Sequence, residues 1–447
     1  MNKNVLILGA GSVAPPLVKY LLNQPEIKLS IADQFFSKAK SLASRSSNAR
    51  ALELDIRDME KTRALISEAD IVISILPYTF HPEIAAHCTD LNTNMLTASY
   101  ASESIKKFDS LAKQKGVLLL NEIGLDPGID HMEAMRIIDD VKKRNGTVTS
   151  FVSYCGGLPA PEANTNPFGY KFSWSPMGVL LASKNQAKYL LNNKKIRIPP
   201  EELFQTPPLI HIEGLGDLEG YPNRNSLPYI DLYEIHSTKT MLRGTLRYKG
   251  WCSFMHQAGR IGLLDEEVEN WEKISRVDFL RKITGIPEEK DIKSDLASHL
   301  NLKKESVFIR CMDWLGFFDK QALPLKKGSP LDILVALMEK TLHYKKGERD
   351  MIVLQHKLTV EYKDKKRQEI ISALVEFGIP GGDSAMSRTV GLPLAIAAKN
   401  ILNGKINSTG VQIPVIPEIY KPVLAELREL GVEFETRTKN LNERRGS

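Results

Sequence analysis

With 447 residues the chain is long enough for two or three domains, each with ample core. At 42% hydrophobic and 26% charged it has the composition of a globular protein in water. Sixty basic residues against 54 acidic ones leave +6, too even a balance for a nucleic-acid protein. Cys88, Cys155, Cys252 and Cys311 lie far apart and form no Cys-x-x-Cys pair. That spacing argues against a metal site or disulfide scaffold and fits a reducing compartment. No apolar run approaches the ~18 residues needed to span a bilayer. The N-terminus enters a strand without a charged leader, so a cytoplasmic protein with no membrane partner is expected.

Six short apolar runs, 4–8, 28–32, 51–54, 71–76, 94–98 and 117–121, alternate with helical or turn segments. That alternation predicts parallel strands joined by crossover helices. A helix over 102–115, with Ile105, Phe108, Leu111 and Ala112 on one face, should stop at Gly116. Past about residue 145 the pattern changes. Val148, Ser150, Val152 and Tyr154 alternate with Thr149, Phe151 and Ser153 as a strand, and aromatic, glycine-rich loops follow at 156–174 and 214–229. Residues 265–345 carry helix signals, at 277–283, 291–300, 306–315 and 331–344. Runs 351–362 and 368–377 flank the polar turn Lys363-Asp364-Lys365-Lys366 as a hairpin, and 384–402 and 417–430 are again helical. The expected fold class is α/β: an N-terminal Rossmann doubly wound parallel sheet, a second mixed α/β substrate domain and a helical insertion. The expected domains are 1–130, with 384–447 packing back onto it; 131–264 with 346–383; and the insertion 265–345.

Gly9-Ala10-Gly11-Ser12-Val13-Ala14 follows the first strand and opens a helix. Gly9 permits a tight turn, Gly11 lets backbone approach a pyrophosphate, and Ala14 stands where helix and strand pack closely. The helix N-terminus adds amide donors and a positive dipole end. Asp33 ends the second strand about 20 residues further on, where a carboxylate accepts both adenosine ribose hydroxyls and repels a 2′-phosphate. NAD is therefore the expected cofactor, with NADP as the alternative because Lys38 and Lys40 are close in sequence; a plain surface-turn aspartate is the other reading of Asp33. Asp55-Ile56 ends the third strand, where adenine usually rests, and Ile75-Leu76 the fourth, beside the phosphates and ribose.

The sixth apolar run leads into Asn121-Glu122-Ile123-Gly124-Leu125-Asp126-Pro127-Gly128-Ile129-Asp130-His131, an acidic glycine-rich loop at the carboxyl end of a strand, where function collects in open α/β sheets. Pro127 and Gly128 should hold the Asp126 carboxylate in place. Asp130 and His131 read as the entry of the next helix, and His131 is given no role. Cys155 follows a strand and precedes Gly156-Gly157, so its thiol faces either the cleft or the core. Arg224 and Arg247 offer planar guanidinium forks suited to carboxylates, although a loop arginine such as Arg224 can equally pair with a surface acid. Thr245 stands near the start of an amphipathic stretch, and a helix beginning there would aim free N–H groups at a carboxylate.

Several blocks together resemble the saccharopine reductases, the glutamate-forming saccharopine dehydrogenases. They are Ile75-Leu76-Pro77-Tyr78, Thr97-Ala98-Ser99-Tyr100, the 122–131 loop, Ser153-Tyr154-Cys155-Gly156-Gly157-Leu158-Pro159-Ala160-Pro161, Tyr170-Lys171-Phe172-Ser173-Trp174-Ser175, Gly220-Tyr221-Pro222-Asn223-Arg224 and Leu242-Arg243-Gly244-Thr245-Leu246-Arg247-Tyr248. The resemblance runs from the first strand to the C-terminal helices. It implies interconversion of saccharopine with L-glutamate and 2-aminoadipate 6-semialdehyde in lysine metabolism, by hydride transfer between a C–N bond and a nicotinamide cofactor, and a homodimer joined through the second domain's sheet. It places Ser99 and Tyr100 against both nicotinamide and substrate, although Ser99 could instead cap the following helix. It also assigns substrate contacts to Asp126, Thr245, Leu246 and Arg247. Trp174 would wall the pocket, unless it is a core aromatic.

Taken together, the expected catalytic residues are Asp126, Tyr100 and Cys155, with no metal. Expected cofactor contacts are Gly9, Gly11, Ser12, Val13, Asp33, Asp55, Ile56, Ile75, Leu76, Ala98, Ser99 and Leu125. Expected substrate contacts are Ser99, Tyr100, Asp126, Trp174, Arg224, Thr245, Leu246 and Arg247. The same fold also serves C–N-forming relatives such as carboxynorspermidine-type synthases, whose polyamine substrate carries one carboxylate; two arginines argue for several. A catalytically silent dinucleotide-binding scaffold is the reading from another class, opposed by the intact Gly9/Gly11 turn.

Overall fold

The computed structural model describes residues 3–44, 46–287 and 291–441. The chain divides into two compact units, one made of Met1–Thr147, Glu361–Lys366 and Gly382–Glu435, the other of Val148–Val360, Arg367–Gly381 and Thr436–Ser447. The expected C-terminal segment 384–447 ends in residues 442–447, which lie outside the described residues.

In the first unit the apolar runs form parallel strands β1 (Lys3–Leu8), β2 (Ile27–Asp33), β3 (Ala49–Glu53), β4 (Ile71–Ser74), β5 (Asn94–Thr97) and β6 (Leu118–Leu120). Their spatial order is 3-2-1-4-5-6, so the chain reverses direction between β1 and β4 and opens a crevice at the carboxyl ends there. A seventh strand, Gly410–Gln412, adds parallel to β6; three residues are too few to show a period in the sequence. Helix Ala385–Leu402 packs on helix Ala14–Leu22, and Pro417–Glu429 packs on Ile129–Lys143. The sheet is apolar through and through: Val5, Leu6, Ile7 and Leu8 are all at most 1% exposed, as strands covered on both faces must be.

The single helix expected over 102–115 is two, Glu103–Lys106 and Asp109–Lys115. The break serves the seventh strand, because the Asp109 carboxylate that opens the second piece accepts Val411 N–H at 2.9 Å. Gly116, at φ +69°, ends it as expected.

The second unit is built on a mixed nine-stranded sheet. Its strands include β7 (Gly146–Pro159), β8 (Ala187–Leu191), β9 (Lys194–Ile198), β10 (Leu209–Ile212), β11 (Gly216–Pro222) and β12 (Thr240–Arg247). The hairpin strands Asp350–Tyr362 and Arg367–Phe377 continue it beyond β7. Helices Arg276–Thr284, Ile292–His299, Val307–Trp314 and Pro330–Thr341 form the helical insertion, and pack Phe279, Phe308, Phe317 and Leu334 with Phe254 and Trp251 into one apolar cluster.

Thr245 does not begin a helix. It lies in β12, between antiparallel β11 and parallel β7, and backbone paired on both sides leaves no free helix donors. The amphipathic helix starts only at Trp251, after Gly250. Its first amides are taken from within the chain: Glu219 accepts from Gly250 N–H and Cys252 N–H, each at 3.0 Å.

Candidate active site

The first unit holds a cleft of about 490 Å³ lined by Gly9, Gly11, Asp33, Gln34, Asp55, Ile56, Arg57, Ile75, Leu76, Pro77 and Phe80, among others. Seven of the expected cofactor contacts thus share one crevice; Ser12, Val13, Ala98, Ser99 and Leu125 are not among its walls. At φ +104° Gly9 adopts a conformation that L side chains rarely take, and a Cβ there would come within 3.1 Å of Ile75 Cγ1. Gly11 faces open space, with nothing within 4 Å of the position a Cβ would take.

The helix contributes fewer donors than its N-terminus suggests, since Pro15 and Pro16 occupy its first turn and carry no N–H. The donors are instead the amides of Gly11, Ser12 and Val13, which make no hydrogen bond among the described residues. Three successive N–H groups beside an open glycine suit a pyrophosphate.

Asp33 is fastened on both sides. Its Oδ2 accepts Ala10 N–H at 2.7 Å and its Oδ1 accepts Phe35 N–H at 2.8 Å. The carboxylate is thereby held at the edge of the crevice with lone pairs left for ribose hydroxyls. Among the described residues no cation pairs with it: Arg57 is forked onto Asp55 at 2.6–3.1 Å, and Lys38 Nζ sits over the Phe35 ring at 4.8 Å. Arg57 and Phe80 are not among the contacts expected from the sequence. Arg57 follows Asp55-Ile56 directly, and that adjacency was the available signal.

Ser99 and Tyr100 follow β5, and Asp126 follows the adjacent β6; all three are half-buried. Ser99 is not a helix cap, because Ser102 Oγ accepts Ile105 N–H in that role. The Asp126–Pro127 peptide bond is cis. Gly128, at φ +148°, is required sterically, since a Cβ would come within 2.0 Å of the Gly124 carbonyl oxygen.

In the second unit the sheet register places Cys155 (β7), Thr245 (β12) and Tyr221 (β11) side by side. Arg247 lies two residues past Thr245, hence on the same face. Leu246 points to the other face, where it packs at 0% exposure with Tyr154 and Leu218; its carbonyl accepts Arg247 Nη1–H at 2.8 Å. The Arg247 side chain is buried, over the Tyr170 ring at 4.8 Å and the Trp251 ring at 5.6 Å. Among the described residues no carboxylate pairs with it. Arg247 Nε, Tyr170 Oη and Trp251 Nε1 are all buried without a hydrogen-bond partner, although each such group costs ~1–3 kcal/mol. A buried cation among unsatisfied donors is a receptor for an anion. Burial pushes the Tyr221 phenol up to about 12, so that hydroxyl gives Arg247 no anion at neutral pH.

The remaining expected residues of this unit differ in exposure. Arg224 is exposed, at φ +53°, on the loop after β11. Trp174 is 42% exposed, so it is not a core aromatic, and Cys155 is a buried thiol.

Two family models match the chain: the saccharopine dehydrogenase NADP binding domain over residues 5–120 and the saccharopine dehydrogenase C-terminal domain over 124–432. The NADP-specific, L-glutamate-forming saccharopine dehydrogenase of Saccharomyces cerevisiae is 38% identical, covering 98% of this chain and 100% of the relative. The Schizosaccharomyces pombe protein of the same name is 36% identical over 97% and 98%. The mitochondrial alpha-aminoadipic semialdehyde synthase of Bos taurus is 36% identical over 98% of this chain but only 48% of its own length. Among solved structures, the apo L-Glu-forming enzyme from S. cerevisiae superposes with a TM-score of 0.91 at 37% identity, covering 98% of this chain and 100% of that one.

Proposed function

Because the chain belongs to the saccharopine dehydrogenase family, we propose that it oxidises saccharopine to L-glutamate and 2-aminoadipate 6-semialdehyde, and runs the reverse reduction, with NAD as the preferred dinucleotide. The observation that carries the substrate assignment is Arg247, a buried guanidinium with unsatisfied donors around it and, among the described residues, no carboxylate paired with it. Saccharopine has three carboxylates, and a carboxylate fits that receptor in charge and in planar geometry. Thr245 lies on the same strand face, and Arg224 provides a second fork from its loop.

The bound nicotinamide would supply the hydride acceptor. Oxidation removes a hydride from the carbon next to the secondary amine and leaves an iminium; water adds to that carbon, the C–N bond breaks and glutamate departs. Asp126 holds the substrate ammonium and takes up its proton, and the Tyr100 hydroxyl lies on the neighbouring loop for the same proton traffic. Cys155 lines the row with Thr245. The reaction has modest demands for acid–base strength, so holding the amine carbon in place is the larger contribution.

NAD is supported by Asp33, held at the crevice with no cation paired to it among the described residues. The fungal relatives bear NADP in their names, whereas this chain ends its second strand on the acid of Asp33-Gln34. The reading includes a homodimer, as the family resemblance implies, and a cytoplasmic location, supported by four cysteines that are all thiols. The decisive assay is NAD(P)H formation from saccharopine, with a carboxylated polyamine as control substrate. Activity on the polyamine alone would remove the assignment.

A further inference from the structure

Among the buried ionisable groups of the first unit, Glu122, Asp130 and His131, exposed by 7%, 1% and 0%, have no part in the chemistry above. His131 bridges the two acids, with Nε2 at 2.9 Å from Glu122 Oε2 and Nδ1 at 3.6 Å from Asp130 Oδ2. Glu133 is buried close by, but its carboxylate is forked by Arg136 at 2.6 Å and stands outside the chain.

Each acid also grips a loop. Glu122 brackets Tyr100: its N–H donates to Ser99 O at 3.0 Å, and its Oε1 accepts Ala101 N–H at 3.1 Å. It does so from φ +58°, a conformation that costs a side-chain-bearing residue energy and persists only where its surroundings demand it. Asp130 braces the Asp126 loop: its Oδ1 accepts Gly128 N–H at 2.6 Å, while its own N–H donates to Leu125 O at 3.0 Å.

We propose that the Glu122–His131 hydrogen bond, with the Asp130 carboxylate at ion-pair distance behind it, forms a brace that fixes the Tyr100 loop against the Asp126 loop, making all three positioning residues for the hydride step. This rests on the reading of Tyr100 and Asp126 as site residues. Stability alone would not need it, since buried ionic groups are weak stabilisers compared with apolar packing. A buried polar cluster whose two acids each hold loop backbone, in contrast, specifies one geometry.

Four variants test the brace. Glu122→Gly suits φ +58° and removes the carboxylate together with its two methylenes; Glu122→Gln keeps an acceptor for Ala101 N–H. His131→Gln sets an amide near the Nε2 position, and His131→Asn near Nδ1 alone. With saturating NAD, Glu122→Gly and His131→Asn should lose roughly ten- to hundredfold in kcat, as a misplacement of about 1 Å does. Glu122→Gln and His131→Gln should stay within about threefold, because the bond that positions is retained. KM for NAD should hold within about twofold in all four, since none touches the glycine turn or Asp33.

Equal losses in the retaining and deleting variants, or a wild-type kcat in both deletions, would overturn the proposal. Should Glu122→Gly fail to fold, the two His131 isosteres decide: His131→Gln must exceed His131→Asn in kcat, and equality refutes the brace. Tyr100→Phe and Asp126→Asn are measured alongside. Wild-type kcat in those two removes the site reading itself, whereas losses there with none in Glu122→Gly and His131→Asn overturn the brace alone.

Discussion

Cofactor choice is the sharpest consequence of the first unit's geometry, and Asp33 is its lever. The carboxylate is held by Ala10 N–H at 2.7 Å and Phe35 N–H at 2.8 Å, so it cannot swing away from a 2′-phosphate. Two unit charges about 4 Å apart at an effective dielectric near 20 repel by ~4 kcal/mol. Solvent at the crevice mouth reduces that to ~2–4 kcal/mol, or roughly thirty- to thousandfold in kcat/KM favouring NAD over NADP. Asp33→Asn keeps an acceptor for one amide and removes the charge, so the ratio should contract to within about tenfold. Adding Gln34→Arg should invert it by supplying a phosphate ligand. Initial rates of saccharopine oxidation against both dinucleotides, for the wild type and both variants, measure this directly. A wild-type enzyme that favours NADP refutes the reasoning. It would mean that Lys38 or Arg57 leaves its present partner, or that Lys40 turns inward, to meet the phosphate.

Three further outcomes are expected. Arg247→Met and Arg224→Met should each raise KM for saccharopine ten- to hundredfold, a loss of ~1.5–3 kcal/mol, with NAD affinity unchanged by titration calorimetry; unaltered KM in folded variants removes these arginines from the site. Asp126→Asn keeps the shape of the side chain and removes its charge, so kcat/KM for saccharopine should fall steeply while NAD binding persists; an unchanged pH–rate profile would reduce Asp126 to a loop residue. His81 is 1% exposed, and burial pulls its imidazole down to about 4 from 6.5. The unfolded chain therefore takes up a proton that the folded one refuses, and stability is lost as pH falls from 6.5 towards 4. Between about pH 7.5 and pH 5 this amounts to ~2 kcal/mol. His81→Gln should shrink the fall in urea-unfolding free energy by that amount, and an identical fall in both proteins would show that His81 is not the group responsible.

The first unit was legible because its determinants are local. Six apolar runs, a Gly9-Ala10-Gly11 turn and an acid after the second run depend on neighbours within a few residues, where period and backbone freedom act directly. The Gly128 turn and the Gly116 helix stop are of the same kind.

What the linear order concealed depends on partners far along the chain. The strand Gly410–Gln412 exists because β6 and Asp109, some 300 residues earlier, are there to pair with it. The stretch at Thr245 carries a helical pattern beyond it, yet pairing with β7 and β11 claims it as strand. Glu219 lies about 30 residues before the helix whose amides it takes. His131 carried no sign of a role, since its two acids acquire meaning only when the loops after β5 and β6 come together. Local periodicity decided which elements form, whereas tertiary pairing decided which polar groups remain unsatisfied, because a buried charge is defined by what folds around it.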